Sequence, residues 1–296
     1  MYLAILVFII IGLIGCTNAN QGADTSSNEN QESKKSSDEN REFIELEDKS
    51  NTQIGVYAID TGDNQTVEYY SERRFAYSST FKVMAVAELL KQNDIKDLEK
   101  TVSYNRDDLV DHSPVTEKHV NTGMTLLEIS EAAIRESDNT AGNLLLKAIG
   151  GPDGFKQALR DMDDDVTMPE RYEVELNMFS PEDKSDTSTP KMMSTNLKKV
   201  ILGNVLQSEK SELLIDWMTG NEAGDPLIRE GAPDKWKVVD KSGAGTYGTR
   251  NDIAVVYPPD REPIVIAVMS RQDKEDAEFN DSVVAKAAKI ALDKLK

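Results

Sequence analysis

The chain has 296 residues and carries 34 lysines and arginines against 53 aspartates and glutamates, a formal charge of −19 with both histidines neutral. So acidic a protein has no general attraction for phosphate backbones or anionic lipid, and no basic run supplies a local patch, which excludes nucleic acid as a partner. A hydrophobic fraction of 39% beside 29% charged residues is that of a soluble globular chain, long enough for one large core or two modest ones.

Residues 1–16 contain no charge and are apolar from Tyr2 to Ile14. They read as a signal segment, because a membrane span needs roughly 18 to 20 apolar residues. The small residues before the lone Cys16 resemble the lipobox of bacterial lipoproteins, whose cysteine is lipidated and becomes the new N-terminus. That implies an exported protein held on the outer face of the cell membrane through Cys16, with no other membrane contact. An ordinary cleaved signal, leaving the protein secreted or periplasmic, is the alternative. Residues 17–40 are mostly Ser, Asn, Gln, Glu, Asp and Lys, with a few Thr, Ala and Gly and no aromatic or branched aliphatic side chain, so they read as a disordered polar tether.

From Arg41 the pattern is that of a folded chain. Phe43, Ile44 and Leu46 suit a short amphipathic helix, and two strand-like runs, 54–60 and 66–70, flank the turn residues Thr61, Gly62, Asp63 and Asn64. This predicts a hairpin. Helical spacing follows over 79–90, 125–136, 140–149, 153–161, 189–206 and 209–218. Strands return over 236–241, 251–257 and 264–270, and an amphipathic helix over 277–295 closes the chain. Strands at both ends around a helical middle predict an α+β fold, with one sheet assembled from 41–70 plus 220–296 and a helical domain, 71–219, inserted between them. No internal repeat is visible.

The motif search starts with exclusions. One cysteine cannot form an internal disulfide or a cysteine-rich zinc site, and His112 and His119 match no H-E-x-x-H helix, so no metal is expected. Gly243, Gly245 and Gly248 match G-x-G-x-x-G, yet a strand pattern follows where a dinucleotide would need a helix N-terminus. Those glycines read as a strand-to-strand turn. Three short patterns carry chemistry when taken together. Ser79-Thr80-Phe81-Lys82 sets a hydroxyl and an amine at i and i+3, on one face of a helix start. The look-alike Ser188-Thr189-Pro190-Lys191 reads instead as a helix N-cap followed by proline at the first helical position. Ser137-Asp138-Asn139 lies between two helix patterns, and Lys241-Ser242-Gly243 ends a strand. Each alone suits an ordinary cap or turn.

In this order the set resembles that of class A serine β-lactamases, with serine in place of threonine in the third motif. The resemblance runs from about Arg41 to the C-terminus and includes Arg171-Tyr172-Glu173-Val174-Glu175-Leu176-Asn177, which looks like the start of the family's Ω loop, 171–186. It implies an antiparallel five-stranded sheet flanked by helices, no cofactor, a small β-lactam as the only partner, and a monomer. The implied activity is hydrolysis of penicillin- or cephalosporin-type antibiotics through a serine acyl-enzyme, which confers resistance.

The resemblance also implies a role for each matched position. Ser79 attacks the lactam carbonyl, and the N–H groups of Ser79 and Ala244 form the oxyanion hole. Either Lys82 or Glu173 serves as the acylation base. Ser137 relays a proton to the lactam nitrogen, and Asn139 holds the substrate's side-chain amide and orients Lys82. Glu173 and Asn177 bind the hydrolytic water. Lys241, Ser242, Gly243 and Arg250 receive the substrate and its carboxylate. Arg171 and Asp186 close the neck of the Ω loop, and His112 touches the rim of the cleft. Val174 stands where most relatives have a proline preceded by a cis bond. A D-alanyl-D-alanine peptidase of the penicillin-binding type, or a penicillin sensor that keeps its adduct, would share the first three motifs. Glu173 and Asn177 argue against both. Residues 17–50 hold nine acids and four bases, a net of −5, which leaves −14 on the rest and predicts a fold that salt stabilises.

Overall fold

The structure, a computed structural model, describes residues 40–296; Cys16, the signal-like segment and all of the tether before Asn40 lie outside the described residues. The chain enters through helix α1 (Arg41–Ser50), whose apolar Phe43 and Leu46 are buried. Two strands follow, β1 (Gln53–Asp60) and β2 (Thr66–Tyr69), paired antiparallel. Their turn is closed by the Asp60 carboxylate, which accepts from Gly62 N at 2.8 Å. Three further long strands come from the other end of the chain: β7 (Lys237–Gly245), β8 (Thr249–Tyr257) and β9 (Ile264–Arg271). The sheet order is β2-β1-β9-β8-β7, antiparallel throughout. Short pairs, β3 (Phe75–Ala76) with β6 (Thr187–Ser188) and β4 (Thr101–Val102) with β5 (Met124–Thr125), lie within the helical part.

Strand β9 shows why the middle strands read as unbroken apolar runs. Val265, Ala267 and Met269 face one core, while Ile264, Ile266 and Val268 face the other. With side chains alternating and both faces covered, every position must be apolar. One face is covered by α1 and the C-terminal helix α8 (Asp281–Lys294), which packs Val284, Ala287, Ala288 and Ala291 in the second core. The other face receives helix α6 (Pro190–Ile201).

The remaining helices surround α2 (Phe81–Gln92), in which every residue from Phe81 to Leu90 is buried, so it reads apolar on all sides rather than along one stripe. Around it stand α3 (Leu126–Arg135), α4 (Asn139–Ala148), α5 (Gly151–Arg160) and α7 (Ser208–Thr219).

Helix boundaries follow local chemistry. Thr125 and Glu128 form a capping box for α3, Asp138 caps α4 by accepting from Ala141 N, and Thr189 caps α6 ahead of Pro190. Two expected helices are shorter than the periodicity indicates. The one over 189–206 stops at Ile201, where Gly203 packs so closely on the Lys199 carbonyl that a Cβ would sit 2.5 Å from it. The one over 277–295 starts only at Asp281, because Asn280 is its N-cap and accepts from Ser282 N. The helix expected from Ser79 opens with a 3₁₀ turn, Ser78–Thr80, before Phe81. The three-glycine motif at 243–248 is a strand-turn-strand joining β7 to β8, as its context indicates. Among the described residues, no helix is long and apolar enough to cross a membrane.

Candidate active site

Strand β7 lies at the sheet edge, against the Ser78–Thr80 turn. Gly243 permits that approach, since a Cβ there would fall 3.1 Å from Ser79 N. Asn251 of β8 fastens the turn from below, donating from Nδ2 to the Ala76 carbonyl at 2.7 Å.

Lys82 is fully buried one turn into α2. Its Nζ donates to Ser79 Oγ at 2.9 Å, to the Ser137 carbonyl at 2.7 Å and to Asn139 Oδ1 at 2.8 Å. The Glu173 Oε1 atom is 3.2 Å away, in ion-pair contact but without hydrogen-bond alignment. Burial lowers the Lys82 pKa, while the Glu173 carboxylate opposes the shift. Room for the lysine stem comes from Gly142 of α4, where a Cβ would lie 2.8 Å from Lys82 Cε.

Ser137 stands in the turn between α3 and α4 with φ of +54°, a left-handed conformation unfavourable for a residue with a Cβ. The adjacent Asp138 holds it there, since its buried carboxylate accepts from Val115 N, Thr116 N, Thr116 Oγ1 and Ala141 N at 2.8 to 3.0 Å. Ser137 Oγ accepts from Lys241 Nζ at 3.0 Å. Lys241 is fully buried, and burial together with the charge of Lys82 brings its pKa down to about 7 against the pull of Asp240 and Asp252.

Glu173 arrives from the opposite side. Asn143 of α4 pairs with its main chain in both directions: Glu173 N donates to Asn143 Oδ1 at 2.8 Å, and Asn143 Nδ2 donates to the Glu173 carbonyl at 2.9 Å. The Glu173–Val174 peptide is cis. Asn177 Nδ2 donates to Glu173 Oε2 at 2.5 Å, which leaves Glu173 Oε1 and Asn177 Oδ1 buried without hydrogen-bond partners. At the neck of this loop Arg171 Nε and Asp186 Oδ2 are 2.5 Å apart. Asp186, fully buried, also accepts from the Tyr77 hydroxyl at 2.8 Å and from Glu170 N at 2.9 Å. The neck is thereby tied to the residue two before Ser79.

These groups open onto one cleft of about 480 Å³, lined by Ser79, Ser137, Asn139, Asn177, Ser242 and Gly243. Ala244 and Arg250, which face each other across the β7–β8 pair, lie at the same cleft. Arg250 Nε donates to Asp281 Oδ1 at 2.6 Å and Nη2 to the Ala223 carbonyl at 3.2 Å. His112 lies on the rim, with φ of +60° and Nε2 3.1 Å from the Glu136 carbonyl. All twelve catalytic and substrate-binding residues expected from sequence therefore lie on the cleft or in direct contact with its lining. Missing from that expectation are Asn143, Asp138 as a brace, Asn251, Tyr77 and the Asp281 partner of Arg250. Among the described residues no group of three or more His, Cys, Asp or Glu is placed to hold a metal.

A sequence model of the β-lactamase enzyme family matches residues 39–295. The chain is 55% identical over 254 residues to a β-lactamase of Bacillus amyloliquefaciens, covering 86% of this chain and 83% of that one. It is 52% identical to β-lactamase 3 of Bacillus cereus over 286 residues, 96% and 90% of the two. The crystal structure of a class A β-lactamase from Clostridium kluyveri DSM 555 superposes with a TM-score of 0.85 at 48% identity, covering 86% of this chain and 98% of that one. A structure described as a halotolerant bacterial β-lactamase gives 0.84 at 50% identity, over 85% and 97%. The chain belongs to the β-lactamase enzyme family.

Proposed function

We propose that this class A enzyme hydrolyses the amide bond of penicillin- and cephalosporin-type antibiotics through an acyl-enzyme on Ser79, and so confers resistance to them. Lys82 is the group in contact with Ser79 Oγ, with Glu173 Oε1 a further 3.2 Å beyond its ammonium. Lys82 passes a proton to Glu173, and the neutral amine takes that of Ser79 as Oγ bonds to the lactam carbonyl carbon. The N–H groups of Ser79 and Ala244 hold the oxyanion. When the C–N bond breaks, Ser137 delivers a proton to the nitrogen and is resupplied from Lys82, which is in contact with its residue and then recovers its own proton from Glu173, leaving that carboxylate ionised for deacylation. Asn139 orients Lys82 and receives the substrate's side-chain amide. The cationic Lys241 and Arg250, with Ser242, bind the carboxylate.

The observation that carries the hydrolytic half is the pair of buried oxygens, Glu173 Oε1 and Asn177 Oδ1, that accept no hydrogen bond. Buried acceptors of this kind seek a donor, and a water between them satisfies both while Glu173 takes its proton. The water then attacks the ester carbonyl, and as the bond to Ser79 breaks Oγ takes a proton from Lys82, which is restored by the one Glu173 took from water.

Glu173→Ala is expected to leave acylation working and to slow deacylation by about 10² to 10⁴, the usual worth of a general base. Intact-mass spectrometry should then show one penicillin bound per chain, whereas Ser79→Ala should show none. A penicillin adduct that persists for hours on the unmutated protein would point to a sensor or peptidase instead.

The enzyme acts as a monomer and is exported and tethered by a lipid on Cys16. Cys16→Ser should move it from the membrane fraction to the medium or periplasm, because the polar residues 17–40 offer no apolar anchor. Equal membrane retention of the variant would refute the anchor.

A further inference from the structure

At the Arg250 end, the otherwise polar cleft has an apolar edge. Phe279 is 49% exposed, and of the large exposed hydrophobic side chains among the described residues it is the one that lines the cleft. It lies in the segment between β9 and α8, which is fastened to the β7–β8 turn: Gln272 N donates to the Tyr247 carbonyl at 2.6 Å and Tyr247 N to the Glu275 carbonyl at 2.9 Å. On its other side Asn280 caps α8 and Asp281 pairs with Arg250. The ring is thereby held beside the guanidinium, 4.9 Å from centroid to Cζ.

Arg250 is committed through Nε to Asp281 and through Nη2 to the Ala223 carbonyl. Its Nη1 makes no hydrogen bond among the described residues, and this is the donor left for a substrate anion. A cation–π contact at a half-exposed ring is a weak attraction. That contact occupies only part of the aromatic surface, and the remainder stays open at the cleft.

The chemistry of the substrate decides what meets that remainder. In a bicyclic β-lactam the carbon bearing the carboxylate is bonded to the ring carbon carrying the variable group: two methyls in penicillins, the C3 substituent in cephalosporins. A carboxylate held by Arg250 brings this group to the ring at its side. We propose that Phe279 is a specificity-determining residue, an apolar wall that contacts the C3 substituent and favours substrates in which that substituent is aromatic. The inference rests on the β-lactam hydrolase reading above.

The test compares kcat/KM of the unmutated enzyme, Phe279→Ala and Phe279→Tyr for two cephalosporins with the same acylamino side chain, one with methyl at C3 and one with styryl. Phe279→Ala is expected to lose about tenfold on the styryl compound, the effect of partly exposing one aromatic contact, and less than about twofold on the methyl compound. Phe279→Tyr keeps the ring and should restore the styryl preference. Equal losses on both substrates would overturn the proposal, because the ring would then serve only to steady Arg250. Unchanged kinetics on both would overturn it too, since the ring would not touch substrate. If the unmutated enzyme hydrolyses neither cephalosporin, the hydrolase reading itself fails, a result distinct from either.

Discussion

Lys241 shows how burial at a single residue sets a pH limit on the whole reaction. It is charged below about pH 7 and neutral above, because burial and the neighbouring Lys82 penalise its ammonium more than Asp240 and Asp252 support it. Its charge is wanted in the free enzyme, where it attracts a carboxylate, so kcat/KM should fall as pH rises through about 7. Once bound, the substrate carboxylate favours the ammonium and raises its pKa, so kcat should hold to a higher pH than kcat/KM. A pH–rate profile from 6 to 9 checks both limbs, and a kcat/KM that stays flat across pH 7 to 8 would refute the assignment. The sign for stability is also defined. The unfolded chain keeps this proton up to about 10.5 and the folded chain only to about 7, so the Lys241 contribution to stability rises with pH between those values.

At this scale the sequence was most readable where chemistry dictates residue type. A nucleophile with an amine one helical turn on, or a cation on a strand end before a small residue, leaves a local pattern. Asn143 and Asn251 leave none. Each is a single amide whose partners are 30 and 175 residues away, and an isolated asparagine reads the same in any cap or turn.

Among the elements, the Ω loop depends most on contacts distant in sequence. Its neck was readable as an Arg171–Asp186 pair, but the surroundings of Asp186 were not: the carboxylate is fully buried and also takes the Tyr77 hydroxyl and a main-chain N–H. Removing Arg171 therefore leaves a buried charge with only neutral donors. Breaking a fully buried pair in this way costs about 3 to 5 kcal/mol; the Arg171 side chain is 33% exposed, so roughly 1 to 3 kcal/mol is expected for Arg171→Ala. The same change loosens the loop that carries Glu173 and Asn177, so deacylation should slow more than acylation. Thermal unfolding and the steady-state fraction of acylated enzyme measure the two effects, and an unaltered acylated fraction would show that the neck does not govern the water site. Element ends, by contrast, were readable only where a capping side chain was the sole candidate. Pro190 placed α6 correctly at its start, whereas the late start of α8 depends on Asn280 and Asp281, neither of which interrupts the helical spacing that precedes them.

For the molecule as a whole, the sheet built from both chain ends was readable because hairpin and buried-strand patterns stand apart from helical spacing, and β9 is apolar at consecutive positions as a two-sided core requires. The strand order was not readable from spacing. It depends on which edges meet after the helical segment returns the chain to β7.

The molecule's charge supplies the last prediction. Of the total of −19, −16 lies on residues 41–296, the part that folds. Two effects of salt oppose each other. Screening weakens exposed ion pairs such as Lys100–Asp97 and Lys289–Asp293, and it also weakens repulsion among the excess acids. Exposed pairs are each worth about 0 to 1 kcal/mol and act over a few ångströms, within the screening length of roughly 3 Å at 1 M salt. The excess acids repel over distances nearer the 10 Å screening length of 0.1 M salt, so their repulsion is removed first and most completely. The balance favours the folded state, and the melting temperature should rise by several degrees between dilute buffer and 1 M NaCl, about 2 to 4 °C for each kcal/mol gained in a domain of this size. The fully buried pair, Lys82 with Glu173, is shielded from the ions and should not contribute to the change. A melting temperature that is flat or falls over that range would mean the surface pairs outweigh the net charge.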